Sequence, residues 1–138
     1  MHQNFNHYYK STSLENKKAL QLIDKILADL DRSGIITNTL IEDLKELRTY
    51  ALEEQIPLAV KVLRYTYEHV EENDSFLIPI PEDDPLEEEE DGDVLATTSS
   101  DVELNPVESL SYMISLFKDL TNKMNVADLK EYRDALNA

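Results

Sequence analysis

An all-α fold, a small helical bundle of about five helices, is predicted for this chain of 138 residues by three observations. Only two glycines occur, and Leu, Ala, Glu, Lys and Asp dominate the regular stretches, residues that lose little conformational freedom in a helix or serve at its ends. Apolar residues recur at spacings of three and four, so that they line one face of a 3.6-residue period. Most of these stretches open on a capping residue or on a proline. Such amphipathic helices bury their stripes only against each other, which makes a bundle, with a pair of helical hairpins as the variant arrangement.

The elements follow in order. Thr12 with Glu15 three residues on forms a capping-box pattern, and Leu20, Ile23, Leu27 and Leu30, flanked by Ala19, Leu22 and Ile26, predict a first helix over residues 13–32, stopped by Gly34. Thr37, Asn38 and Thr39 offer caps for a second helix with the stripe Leu40, Leu44, Leu47 and Ala51. Pro57 suits the first turn of a third, where Ala59, Val60, Leu63, Tyr67 and Val70 follow, ending near Asn73. Asn105, Pro106 and Glu108 agree on a fourth start, with Leu110, Met113, Ile114, Phe117, Leu120 and Met124 as its stripe. Asn125 and Asp128 then start a short last helix carrying Val126, Leu129, Tyr132 and Leu136. A faint echo links Asp43-Leu44-Lys45-Glu46-Leu47-Arg48 with Asp128-Leu129-Lys130-Glu131-Tyr132-Arg133, as a duplicated long-helix, short-helix hairpin would.

Residues 1–11, with Phe5, Tyr8 and Tyr9, read as a flexible N-terminal tail, and residues 12–138 as a single helical domain interrupted by a long acidic loop over 75–104. Pro79, Pro81 and Pro85 forbid a helix there. The loop holds the most informative feature of the chain. The formal net charge of the whole chain is −16, and between Arg64 and Lys118 there is no Lys or Arg, while sixteen Asp and Glu lie there; outside that stretch thirteen acids meet thirteen bases. The densest part is Glu82, Asp83, Asp84, Glu87, Glu88, Glu89, Glu90, Asp91 and Asp93. It follows the apolar extended strip Phe76, Leu77, Ile78 and Ile80, which either straps across the bundle and completes the core or anchors in a partner's groove.

Composition excludes several function classes. Without Cys there are no disulfides, thiolate metal sites or cysteine nucleophiles. No secretory signal or membrane-spanning run is recognisable, which together with the missing Cys predicts a cytoplasmic protein. The acidic balance makes nucleic acid and anionic membrane surfaces poor direct partners, since the chain repels phosphate. The run from Asp29 to Ile36 resembles the first two-thirds of an EF-hand calcium loop, with oxygen ligands at Asp29, Asp31 and Ser33 and the turn at Gly34. That resemblance covers eight residues and lapses at the twelfth position, where Leu40 replaces the bidentate Glu, so calcium binding is expected to be weak or absent. The favoured reading of the run is a helix end closed by Gly34, with Ile35 and Ile36 tucked into the core. His69 has Thr66 where a di-metal Glu-x-x-His pair needs Glu, and pairs instead with Glu72. No catalytic constellation, cofactor cradle or metal set emerges, which predicts a non-enzymatic protein without cofactors.

The expectation is therefore an acidic helical protein-interaction module, an adaptor, inhibitor or immunity-type protein capturing a basic, nucleic-acid-handling protein. Its partner-binding residues would be Phe76, Leu77, Ile78, Ile80 and the carboxylates of 82–93. The alternatives are a subunit of a larger assembly such as a virion, and a degenerate EF-hand-like calcium module.

Overall fold

The computed structural model describes residues 14–81 and 104–138. Among them every regular element is helical: α1 (Lys17–Ser33), α2 (Thr37–Glu53), α3 (Pro57–Asn73), α4 (Pro106–Leu116) and α5 (Lys123–Leu136). None of these helices is long and apolar enough to cross a membrane. The N-terminal tail with Phe5, Tyr8 and Tyr9, and residues 82–103 of the acidic loop, lie outside the described residues.

Element identity follows the periodicity, while several boundaries and faces differ from the sequence expectation. Thr12 lies outside the described residues, and α1 is capped by Asn16, whose side chain accepts from the N–H groups of Lys18 and Ala19. Thr37 to Thr39 do not cap α2: its N-cap is Ile36, without a side-chain bond, and the Thr37 hydroxyl donates to Asp74 at the far end of α3. In α3 the buried positions are Ala59, Val62, Leu63, Thr66 and Val70, so the face is rotated away from Val60 and Tyr67. Thr66 disguised that face; it is tolerated in the core because its hydroxyl donates to the Val62 carbonyl at 2.7 Å, one turn back. Asn105 and Pro106 start α4 as expected, with Asn105 Oδ1 accepting from Glu108 N–H at 3.0 Å. However, α4 ends at Leu116, and Asn122, instead of Asn125 or Asp128, caps α5. Met124 therefore belongs to α5 and is 67% exposed. Ile35 packs against the core, but Ile36 is half exposed.

Each helix touches two others: α1 meets α2 and α4, α3 meets α2 and α5, and α4 meets α5. The five form a closed ring, α1–α2–α3–α5–α4, around one core that includes Ile23, Ile26, Leu44, Leu47, Leu63, Met113, Ile114 and Tyr132. An odd ring cannot alternate direction throughout, so one neighbouring pair runs parallel. That pair is α3 and α5, since Leu136 at the end of α5 lies beside Arg64 to Glu72 in the second half of α3. Both hairpins, α1–α2 and α4–α5, are in contact, but their helices of 17 and 17 against 11 and 14 residues share no long-short plan.

Polar ties hold the ring at both ends. The Glu54 carboxylate accepts the N–H groups of Glu15 and Asn16, both at 2.9 Å, and so serves donors ahead of α1 from the end of α2. Lys118 reaches Asp24 at 2.6 Å, and Lys25 reaches Asp43 at 2.7 Å, joining α1 to the chain just past α4 and to α2. At the opposite end from Glu54, Gly34 closes α1 with its N–H on the Leu30 carbonyl at φ 76° and ψ −157°. A Cβ there would meet nothing closer than Val107 at 3.9 Å, so the restriction is conformational rather than steric. Gly34→Ala should therefore lower unfolding stability by about 1–3 kcal/mol in urea titration, as expected for this Gly-favoured region of backbone space.

Candidate functional site

The site grows from the topology of the ring. Because α5 is inserted between α3 and α4, the chain leaving α3 must cross the end of α5 to start α4. It does so as an extended strap, residues 75–81, with Pro79 and Pro81 in the segment. Asp74, at φ 57°, closes α3 with its N–H on the Val70 carbonyl and turns the chain into the strap.

The strap is docked on α3, α5 and α4. On α3, the Leu77 N–H donates to His69 Nε2 at 3.0 Å, while the His69 ring meets Phe76 edge-on at 5.6 Å. On α5, the fully buried Phe76 lies 6.0 Å from the Tyr132 ring. On α4, Ser109 Oγ donates to the Ile78 carbonyl at 2.6 Å. Ser109 Oγ also lies 2.9 Å from the Tyr132 hydroxyl, which in turn donates to the Ser109 carbonyl at 3.1 Å, so this buried polar cluster is satisfied. Burial pushes the Tyr132 phenol well above its ordinary pKa, the neighbouring Ser109 side chain offsetting only part of the effect. His69 is held below its usual value, mainly by burial, with Glu72 pulling the other way.

This placement divides the sequence-predicted residues. Phe76 is buried in the core and Ile78 is packed against it, the strap arrangement that the sequence offered beside anchoring in a partner. Leu77, at 45% exposure, and Ile80, at 37%, face outward. Glu82, Asp83, Asp84, Glu87, Glu88, Glu89, Glu90, Asp91 and Asp93 lie outside the described residues. Sequence reasoning missed His69, Ser109 and Tyr132 as the docking set. The only early signal was a Ser and a Tyr among the predicted helical positions, which says nothing of their meeting across the ring.

The acidic tract leaves and returns at one end of the bundle. There α1 and α2 meet through the Gly34 turn, Gly34 lies near Val107 of α4, and Thr37 bonds Asp74. The described residues are themselves acidic, with eighteen Asp and Glu against twelve Lys and Arg. Glu68, Glu71, Glu72 and Asp74 crowd the last turns of α3 with no base in the last turn, where the helix dipole disfavours anions. A groove of about 210 Å³ opens at the same end, between Leu30, Ile36 and Leu40, with Asp29 and Asp43 on its rim. Both carboxylates are already taken by Lys25, and Asp29 also by Arg32 at 2.6 Å; Lys25 holds the Asp29 carboxyl below the usual carboxylate range. Asp29, Asp31 and Ser33 lie within α1 rather than in a loop. Among the described residues no three His, Asp or Glu side chains gather in a metal-holding group.

At Ile78 the chain already touches α4, at Ser109, before residues 82–103 begin. Deleting them should leave the helical spectrum intact and raise stability by no more than about 1–2 kcal/mol in urea titration, through the shorter loop closure. Phe76→Ala should cost about 3–5 kcal/mol by the same measurement. Leu77→Ala, at an exposed side chain, should stay within about 0.5 kcal/mol.

Compared with known proteins, the chain matches no family model, no curated protein and no solved structure.

Proposed function

We propose that this protein is a non-enzymatic interaction module that captures a basic, nucleic-acid-handling protein through the carboxylates of residues 82–93. The observation that carries the proposal is the early arrival of the strap on α4. The Ser109 bond to Ile78 brings the strap onto α4 before the tract begins, and a connection that has arrived needs no twenty-two further residues. Their nine acids between Glu82 and Asp93 are then surplus to folding, and a dense anionic run suits steering toward and holding Lys and Arg. The acids at the end of α3 support the same reading, since they sit where a helix is least favourable to them and extend the negative surface beside the root of the tract. Leu77 and Ile80, exposed just ahead of the tract, supply apolar contact area at its base.

In this mechanism the ring of helices is a fixed platform and the tract competes with phosphate for a partner's cations. Association is then sensitive to salt, because exposed charges further apart than about 10 Å are screened at 0.1 M. Affinity capture from the native host should retain a basic protein at low salt, release it as salt rises, and fail when the nine carboxylates of 82–93 are neutralised to Asn and Gln. An unchanged set of partners with the neutralised chain reduces the tract to a loop. A second reading, a subunit of a larger assembly, draws on the exposed Ile36, Leu77, Ile80 and Leu104. Obligate oligomerisation of the pure chain in size-exclusion chromatography would favour it.

A further inference from the structure

We propose that the strap is a pH-operated latch, in which neutral His69 holds the Leu77 backbone through a bare Nε2, and protonation of that nitrogen loosens residues 75–81 while the ring of helices stays folded. The inference stands whatever the tract binds, because it concerns how the root of the tract is fastened.

The geometry assigns the tautomer. A backbone N–H only donates, so the 3.0 Å bond from Leu77 requires Nε2 to carry a lone pair, which leaves the proton of the neutral ring on Nδ1. The Asn73 amide nitrogen donates one hydrogen to the His69 carbonyl at 2.9 Å, and its 3.4 Å approach to Nδ1 is then a long contact between two donors rather than a hydrogen bond. A second proton has one place to go, Nε2, where it faces the Leu77 N–H donor to donor. The bond that fastens the strap to α3 is then lost, along with the edge-on setting of His69 against Phe76 that the bond maintains.

The groups around the imidazole decide the direction. From α3 itself come Glu72, Glu68, Arg64 and Tyr65; from α5 and the chain end come Leu136 and Asn137, with Tyr132 beyond Phe76; the strap contributes Phe76 and Leu77. Glu72 is the charge that favours the cation, and burial opposes it more strongly, so the native ring takes up its proton below the ordinary pKa of 6.5. With the native pKa depressed, the fastened state loses ground as pH falls below about 6.5, where the released ring begins to protonate, until the native pKa is passed. The remaining anchors, Phe76 against Tyr132 and Ser109 on Ile78, involve no group that titrates in this range, so loosening starts at Leu77. Once Leu77 is released, the root of the tract is held only by Phe76 in the core and by the Ser109 bond to Ile78.

Amide hydrogen exchange on the full chain tests the latch, read as the protection factor so that the pH dependence of exchange chemistry cancels. The Leu77 protection factor should fall by up to about tenfold per pH unit below 6.5 and then level off, while Ile23 and Ile26 in α1 hold theirs. In His69→Gln, whose side-chain carbonyl accepts at any pH, Leu77 protection should stay level. A constant Leu77 protection factor in the wild type between pH 7.5 and 5, or the same fall in His69→Gln, overturns the proposal. Imidazole nitrogen shifts of the wild type at pH 7.5 give an independent reading: a bare Nε2 is expected, and a proton found on Nε2 also overturns it.

Discussion

The whole arrangement depends on one constraint, that five amphipathic stripes are buried by closing a ring with an odd number of members. Alternating directions serve four of the five neighbouring pairs, and the fifth, α3 with α5, must run parallel. A parallel pair cannot be joined by a tight hairpin. Here α5 is reached by way of α4, on its far side, so the chain has to pass over the end of α5 between Asn73 and Asn105. The strap is the solution, and its chemistry is what such a crossing demands. Phe76 fills the space over Tyr132, and prolines keep the segment extended. Two of its backbone groups find partners in His69 and Ser109, whose side chains stand in for the ladder that an isolated extended segment lacks.

The same crossing sets where the described packing stops and where it resumes. As far as Ile78 the strap is held by packing and hydrogen bonds that the ring explains, and from Asn105 the chain is again committed, first as a cap and then as α4. Between them lies the concentration of carboxylates. Charge of one sign at such density works against compact structure through self-repulsion. Among the described residues, the strap that precedes it starts at the end of the bundle where α3 already ends in acids. The opposite end is tied by the Glu54 carboxylate to two backbone N–H groups ahead of α1, and Lys118 pairs with Asp24 midway along α1.

Helix existence was legible because it rests on local physics. Pro57, Asn105 with Pro106, and Gly34 act within a turn of their own position, and each stands where its sequence context placed it. Faces and ends were less legible wherever the deciding partner is distant in sequence. Thr37 looked like a cap but spends its hydroxyl on Asp74, and the donors ahead of α1 are served by Glu54, 39 residues away from Glu15. Thr66 broke the apolar pattern of α3 because a threonine can satisfy itself on the preceding turn. Met124 fitted the α4 period only because the turn between α4 and α5 is short, and Asn122 restarts the helix before the pattern changes.

By itself the sequence determined an all-helical chain of five segments, a helix-forbidding stretch after Asn73, and the placement of the anionic surplus, since propensity, proline and net charge are properties of neighbouring residues. Only the tertiary structure decided that α5 stands between α3 and α4, that Phe76 is core rather than contact surface, and that His69, Ser109 and Tyr132 meet on one strap. Those outcomes depend on the order in which helices close around a shared core, which involves residues separated by tens of positions and leaves no local pattern to read.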